Sequence, residues 1–382
     1  MNARTPQDLA LAQDAQAELR QMLVDSARRW AETANTAAQR TQSADHAHGC
    51  PPERWRELAE LGWLGMRLPE EDGGLSAGLP EVCLLAEQLG RQLLVEPFVA
   101  CGVLGAGLLA DSLQGDDRSE WLAALAAGKR RVAWLAWEAD GDAQLALPAA
   151  EAVQDGIGWR VSGAKGAMPG ASGADAYVVT ARLAGSPGQL GVFLVDAGAA
   201  GVTAESMSFY DGRHAARAQL ADAPARLLLK GPAETVLGRL QAQLDQGLIA
   251  HCAETLGAAQ AALDITLDYL RTRRQFGHAI SDNQVIQHRL VDLYVEQQEA
   301  RALCLAAAER PDAQHAAALG LRTADVARHA WEEAIQLHGA IGMTEECAVG
   351  EYVRRLALAA QLYGTPAQHA ERLAALSLGA FR

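Results

Sequence analysis

Residues Tyr269 to Leu293 read YLRTRRQFGHAISDNQVIQHRLVDL. This stretch joins two long segments with helical apolar patterning, Leu256 to Arg274 and Gln284 to Ala308. A third, Ala313 to Gly339, follows. Each is long enough for a helix of a bundle. On the local string alone, RTRRQFG reads equally as a solvated basic helix end, where cations are favoured by the helix dipole. Gln284 and Gln287 read equally as capping or packing residues. Going back along the chain, the helical pattern begins near Glu234.

Before it, from Arg131, the texture changes. RVAWLAWE, WRVSGAKGA, ADAYVVTAR, LGVFLVDAG and ARAQLADAPA are short, β-branched or alternating, and separated by Gly, Asp and Pro. That spacing predicts an antiparallel β domain. The segment before Arg131 reads as helices again. In LRQMLVDSARRW, Leu19, Leu23 and Trp30 share a face, with Met22 and Ser26 beside it. Pro51 and Pro52 mark a helix start, and Gly62 its stop. PEEDGGLSAG, Pro69 to Gly78, is a loop dense in turn formers. The expected fold class is α+β, mostly α. A helical domain spans 1–130, an antiparallel β domain 131–230, and a four-helix bundle 231–382.

Composition narrows the function classes. The chain has 382 residues, 49% hydrophobic and 21% charged, which is ordinary globular composition. A formal net charge of −14 argues against a nucleic-acid partner. Cys50, Cys83, Cys101, Cys252, Cys304 and Cys347 are scattered without a C-x-x-C pair. That predicts neither a metal site nor a disulfide framework, and fits a reducing cytosol. No basic-then-apolar leader opens the sequence, and no apolar run reaches the roughly 18 residues of a membrane span. A soluble cytoplasmic protein is expected. Bundle cores and domain junctions often hold cofactors, but architecture alone leaves function open.

Three segments together carry a resemblance. The opening stretch contains Tyr269, Arg273, Gln275, Phe276, Gly277, Gln284, Gln287 and His288 in a fixed order. QLHGAIGMTEE from Gln336 is close to Gln-x-x-Gly-Gly-x-Gly, with Ala340 replacing the second glycine. WRELAELGWLGMRLPEEDGGLSAG is the third. In this order, over nearly the whole chain, they make it similar to the acyl-CoA dehydrogenase family of flavoproteins. The resemblance implies FAD and the α,β-dehydrogenation of an acyl-CoA thioester, with a proton leaving to a base and a hydride to flavin N5. It implies FAD contacts from Arg273, Gln275, Phe276, Gln284, Gln287, Gln336, Gly339, Gly342, Gly364 and Thr365. The chemistry agrees. Arg273 offers a fork of fixed-charge donors to a pyrophosphate, and Phe276 a flat face to adenine. Gly339 and Gly342 let backbone N–H groups approach phosphates, and the Thr365 hydroxyl can donate to the flavin.

In the family these residues reach the FAD of a neighbouring subunit, which implies at least a dimer. The implied partners are an acyl-CoA, an electron-transfer flavoprotein or similar acceptor, and either identical or homologous subunits, as a homodimer, tetramer or heterotetramer. In the middle domain, Gly163, Lys165, Ala174 and Asp175 match the family pattern. The loop Met168 to Ser172 departs from it, and Trp137-Glu138 stands where a flavin-contacting Thr-Glu is usual.

The catalytic carboxylate is missing from both usual places. Tyr363 occupies the Glu position of Tyr-Glu-Gly-Thr, and Gly247 the alternative position on an earlier helix, followed by Leu248 where an Arg is usual. A phenol, with an ordinary pKa of about 10, is a poor substitute. Three nearby residues are candidates. Glu254 lies near the Gly247 face, roughly 10 Å along the axis, and His251 roughly 6 Å along it. Asp245 falls on the far side by helical phase. Their structural readings are a salt bridge, a bundle histidine and an acid favoured by the helix dipole. His338 likewise reads as a structural histidine.

Some members of the family are heteromers in which one subunit supplies the base, and the tail from Gly342 resembles their small subunits. The leading reading is a FAD-dependent acyl-CoA dehydrogenase working with a paired subunit on a bulky sterol, terpenoid, aromatic or dicarboxylic acyl-CoA. The alternatives are a flavin monooxygenase or oxidase of the same fold, and a non-catalytic partner subunit.

Overall fold

The computed structural model describes residues 6–140, 145–344 and 346–379. The first five residues, on which the expectation about a leader falls in part, lie outside them. Four helices open the chain: α1 (Pro6–Ala34), α2 (Ala37–Asp45), α3 (Pro52–Glu60) and α4 (Leu79–Arg91). Leu23, Ala27 and Trp30 form the buried stripe of α1, and Met22 is exposed. The Trp30 ring meets Trp63 edge-on at 5.3 Å. Thr36 and Gln39 cap α2 reciprocally. Pro52 starts α3, and Gly62, at φ 78°, ends it in a left-handed turn. A fully buried π-helical segment, Phe98–Gly105, leads into α5 (Ala106–Ser112) and then α6 (Arg118–Ala126).

The sheet comes next: β1 (Val132–Leu135), β2 (Glu151–Asp155), β3 (Gly158–Pro169) and β4 (Ala176–Leu183). It continues with β5 (Gln189–Asp196), β6 (Val202–Ser208) and the long β7 (His214–Pro232). β7 pairs antiparallel with β3, β5 and β6. The sheet is mixed rather than wholly antiparallel, because β1 and β2 both run parallel to β4. β1 enters straight from the helices with no hairpin partner before it. The chain then makes a crossover through β2 and β3, the connection a parallel pair requires, before β4 docks beside β1. Period-2 patterning is the same for both pairing senses, so the sequence carried no sign of this.

One helix, α7 (Ala233–Thr272), then runs 40 residues, roughly 60 Å. Asp245, Gly247, His251, Glu254 and Tyr269 therefore share one rigid element. The hairpin of β8 (Arg274–Gln275) and β9 (His278–Ala279) follows. Helices α8 (Gln284–Glu309), α9 (Ala313–His338), α10 (Val349–Ala359) and α11 (Pro366–Gly379) complete the bundle. No described helix is long and apolar enough to cross a membrane.

α4 and α7 cross at backbone contact. A β-carbon at Gly90 would lie 1.8 Å from the Glu254 carbonyl oxygen, and one at Gly257 would lie 1.9 Å from that of Glu87. Two glycines thus set how closely Glu254 approaches the N-terminal helices. Because the obstacle is backbone rather than a movable side chain, Gly257→Ala should destabilise the chain by about 1–3 kcal/mol, the usual range for overpacking. Urea unfolding, with the slope m unchanged, checks this.

Candidate active site

The turn between α10 and α11 is strained. Tyr363 adopts φ 60°, a left-handed conformation that a bulky residue seldom takes, and Gly364 follows at φ 118°. Gly364 is required for a second reason: a β-carbon there would lie 2.7 Å from the His369 ring. Gly320 of α9 is similarly close, so His369 fills a slot between two glycines. Thr365 begins α11. Its N–H donates to Gln368 Oε1 at 2.7 Å, and its Oγ1 accepts from Gln368 N–H at 3.4 Å. The hydroxyl proton of Thr365 is thereby left to donate elsewhere.

Tyr363 is buried, its ring 5.0 Å from that of His251. Behind both stands a buried ionic cluster drawn from three parts of the fold. Arg213 Nη1 donates to Glu254 Oε2 at 3.2 Å, and Arg213 Nε to Asp211 Oδ2 at 2.6 Å. Arg355 of α10 places Nε 2.8 Å from Asp211 Oδ2 and Nη1 3.9 Å from Glu254 Oε1. His251 Nε2 lies 3.0 Å from the Ala359 carbonyl, which can only accept, so that nitrogen carries a proton. His251 Nδ1 faces Glu254 Oε2 at 3.5 Å. Burial would raise the Glu254 pKa, but His251 and the two guanidiniums outweigh it and hold the carboxyl down at about 2. Burial and the nearby Glu254 charge push the Tyr363 phenol up.

Asp245 lies apart from this group. Arg372 clamps both its oxygens at 2.6 and 2.7 Å, and Gln241 Nε2 donates to it at 2.9 Å. At Gly247 a β-carbon would lie 2.3 Å from Leu104 Cδ2 of the π-helical segment, so a side chain there would have to push that leucine aside. Of the three candidate bases, the structure brings Glu254 and His251 together beside Tyr363 and sets Asp245 against α11.

Two cavities flank Tyr363. One, of about 30 Å³, is lined by Phe98, Pro169, Arg213, His251, Glu254 and Tyr363 among others. That is room for about one water. The other, of about 310 Å³, includes Asp245, Gly364, His369 and Arg372. Arg213, Arg355 and Asp211 were not singled out from the sequence. The signal available was Arg355, which falls on the buried face of α10 beside Leu356 and Ala359, where a charge demands a partner.

The residues expected to hold FAD occupy two places. Arg273, Gln275, Gln284, Gln287 and Gln336 are all exposed. Phe276, 96% exposed, forms the hairpin turn with Gly277, both at positive φ. Tyr269 stacks on His338 at 4.4 Å and so ties the hairpin end of α7 to the Gly339 turn. Gly339, at φ 65°, has open space where a β-carbon would be, whereas Gly342 is buried against His338. This open, aromatic-tipped and guanidinium-bearing surface fits the adenine and pyrophosphate end of a dinucleotide. On the sheet, Trp137, Glu138 and Gly166 border a groove of about 500 Å³, with Lys165 and Glu138 paired at its floor. Its size suits a flavin ring. Among the described residues there is no cluster able to hold a metal ion.

Comparison with known proteins points to one family. Profiles of the acyl-CoA dehydrogenase N-terminal and C-terminal domains match residues 17–129 and 237–378. The acyl-CoA dehydrogenase IpdE2 of Mycobacterium tuberculosis is 30% identical over 361 residues, covering 93% of this chain and 96% of that protein. A variant of the Tcur3481–Tcur3483 steroid ACAD superposes with a TM-score of 0.83 at 30% identity, over 97% of this chain and 99% of that one. The ChsE4–ChsE5 complex from Mycobacterium tuberculosis gives a TM-score of 0.82 over 94% and 96%; at 24% identity it speaks for the fold.

Buried histidines set an acid limit on stability. Burial and the Arg372 charge lower His369 to about 4. The unfolded chain therefore binds a proton below about 6.5 that the folded chain refuses down to about 4. Stability present above that window is lost as pH falls through it, by an amount of order 3 kcal/mol. His48 and His338, lowered by burial, add to the same slope, and Glu254 extends it below 4.5. Denaturant melts from pH 7 to 4 should show the fall, and His369→Asn should flatten it.

Proposed function

The chain belongs to the acyl-CoA dehydrogenase family, and with it to the FAD-dependent oxidoreductases; we propose that it is the base-lacking subunit of a heteromeric member. One observation carries this reading: neither usual base position bears an acid, since Gly247 offers no side chain and lies against Leu104, and the other is a buried tyrosine. Glu254, the nearest acid, is a poor substitute. A carboxyl held at about 2 by ion pairs is a weak acceptor for a proton from Cα of a thioester. The cavity beside it has room for about a water and none for an acyl chain.

In this reading a homologous subunit supplies the base and the acyl pocket. FAD, when bound, supplies the hydride acceptor. Arg273 offers its guanidinium to the pyrophosphate, Phe276 stacks on the adenine, and Gln336 and Gly339 border the same site across the subunit junction. The steroid ACAD relative favours a bulky, sterol-like acyl-CoA. Electrons then leave to an electron-transfer flavoprotein or similar acceptor.

The test is anaerobic bleaching of the flavin band by acyl-CoA esters of varied bulk. The chain expressed alone should not bleach, and co-expression with a homologue carrying the Glu should restore bleaching. Bleaching by the lone chain would overturn the proposal. Two substitutions in the heteromer separate the roles. Phe276→Ala should lower FAD content without changing the melting of the FAD-free chain, because its ring is exposed. Glu254→Gln should destabilise by about 3–5 kcal/mol, since it strands buried guanidiniums, yet leave the bleaching rate intact. An inactive but stable Glu254→Gln would instead make Glu254 the base.

A further inference from the structure

The connection between α2 and α3 begins His46-Ala47-His48-Gly49-Cys50. It lies against His214, the first residue of β7, and the loop that follows β3. Three imidazoles therefore gather at one junction. The His46 and His48 rings are 6.1 Å apart. His214 Nε2 donates to the Ala44 carbonyl of α2 at 2.9 Å, and the His214 carbonyl accepts from Gly170 N–H at 2.9 Å. His48 Nδ1 lies 3.3 Å from Ser172 Oγ, which is 2.7 Å from Ser206 Oγ. Two left-handed glycines make the fit. A β-carbon at Gly49 would lie 2.4 Å from the His214 ring, and one at Gly173 would lie 2.7 Å from His48 Cβ. His48, Gly49 and His214 line the cavity of about 30 Å³ beside Tyr363. Cys50, next in the chain, is buried.

The electrostatics of this junction are one-sided. His251, His315 and His329 each face a carboxylate. Among the described residues His46, His48 and His214 form no ion pair. Their charged neighbour is Arg131, which is buried and donates to the Ser172 and Gly173 carbonyls at 2.8 and 2.6 Å. The carboxylates nearby are committed elsewhere: Asp175 to Arg131 N–H, Glu96 to Arg54 and Ser43, Glu254 and Asp211 to Arg213. Asp45, beside His46, is exposed to solvent. Added protons also cost bonds. His46 Nδ1 accepts from His48 N–H at 3.3 Å, and a proton there removes that bond. His214 Nδ1 is buried without a partner, so a proton on it meets no acceptor, one residue from the Arg213 charge. Burial, then Arg131 and the other two imidazoles, hold His48 below its ordinary range. His48 is the exposed member of the three and takes its proton from solvent.

We propose that this three-histidine junction is an acid-sensitive latch. With its imidazoles neutral, it docks the α2–α3 connection on the sheet. Protonated, they repel one another and Arg131, and the connection lifts. The latch needs neither flavin nor a partner subunit, so it stands apart from the function proposed above. The sign follows from linkage. A histidine that binds its proton less readily docked than released stabilises the docked state above the ordinary value of about 6.5, and that stability is lost as pH falls below it. Lifting uncovers Cys50 and opens the small cavity beside Tyr363.

The experiment is labelling of Cys50 in the purified full chain with a dipyridyl disulfide, which reacts with thiols at acid as well as neutral pH. Rates are read by peptide mass mapping at about pH 7.5 and about pH 5.5, on either side of the ordinary histidine value. Each is divided by the rate for the urea-unfolded chain at the same pH. Cys252, buried in α7, reports opening of the whole chain in the same sample. The expected result is a rise of roughly tenfold or more for Cys50, the change that one linked proton gives per pH unit, with Cys252 still protected. His48→Gln, a neutral change at an exposed position, should remove most of the rise, and adding His46→Gln should remove more. An equal normalised rate at both pH values would overturn the proposal. So would Cys50 and Cys252 becoming reactive together, or an acid-induced rise that the double variant leaves unchanged.

Discussion

The buried pairing of Asp211, Arg213, Glu254 and Arg355 constrains the rest of the molecule. Its members come from the turn before β7, from the middle of α7 and from α10. None is tolerable alone in a dry interior, and each is charged because the others are. The cluster therefore works as an all-or-none clasp. It draws the sheet down onto the bundle and fixes which face of α7 looks at Tyr363. On the Glu254 side of Tyr363 guanidiniums and carboxylates occupy the ground, and about 30 Å³ is left; the cavity of about 310 Å³ lies on the other side, against Asp245 and His369. An alkyl chain entering there would have to displace paired charges.

The outer end of the bundle has the opposite character. Phe276 and the glutamines around it are open to solvent. On α8 the large apolar residues Val285, Val291, Tyr294 and Val295 are exposed as well, and Ile341 and Met343 stand exposed after α9. Apolar side chains left out in such number suit the proposed junction with another subunit. A chain closed within and unfinished without suits a subunit whose contribution is made across a junction.

Much of this was legible in the sequence because it depends on local spacing. Pro52 and Gly62 bound a helix by backbone chemistry alone. The absent acids at 247 and 363 could be read directly. Other features depend on residues distant in sequence. The parallel pairing of β1 with β4 leaves no trace in an alternating pattern. That Leu104 fills the space above Gly247 is set by how a π-helical segment packs. The clasp joins positions up to 144 residues apart, Asp211 to Arg355, and only the charge at a buried phase of α10 hinted at it.

Tyr363 and Glu254 are best understood together. The Glu254 charge reaches the Tyr363 phenol, as the upward push on that phenol indicates. A carboxylate in place of Tyr363 would sit buried beside a carboxylate already committed to two guanidiniums. Like charges at short range in low dielectric cannot both ionise without large cost. One would take up a proton, and Glu254, held by its ion pairs, would not be the one. The newcomer would then be a neutral acid, unable to accept the proton that the chemistry demands. A neutral phenol avoids the conflict, and its ring packs against His251. The clasp and the tyrosine are therefore two sides of one change: once the interior is held together by Glu254, position 363 no longer suits a base.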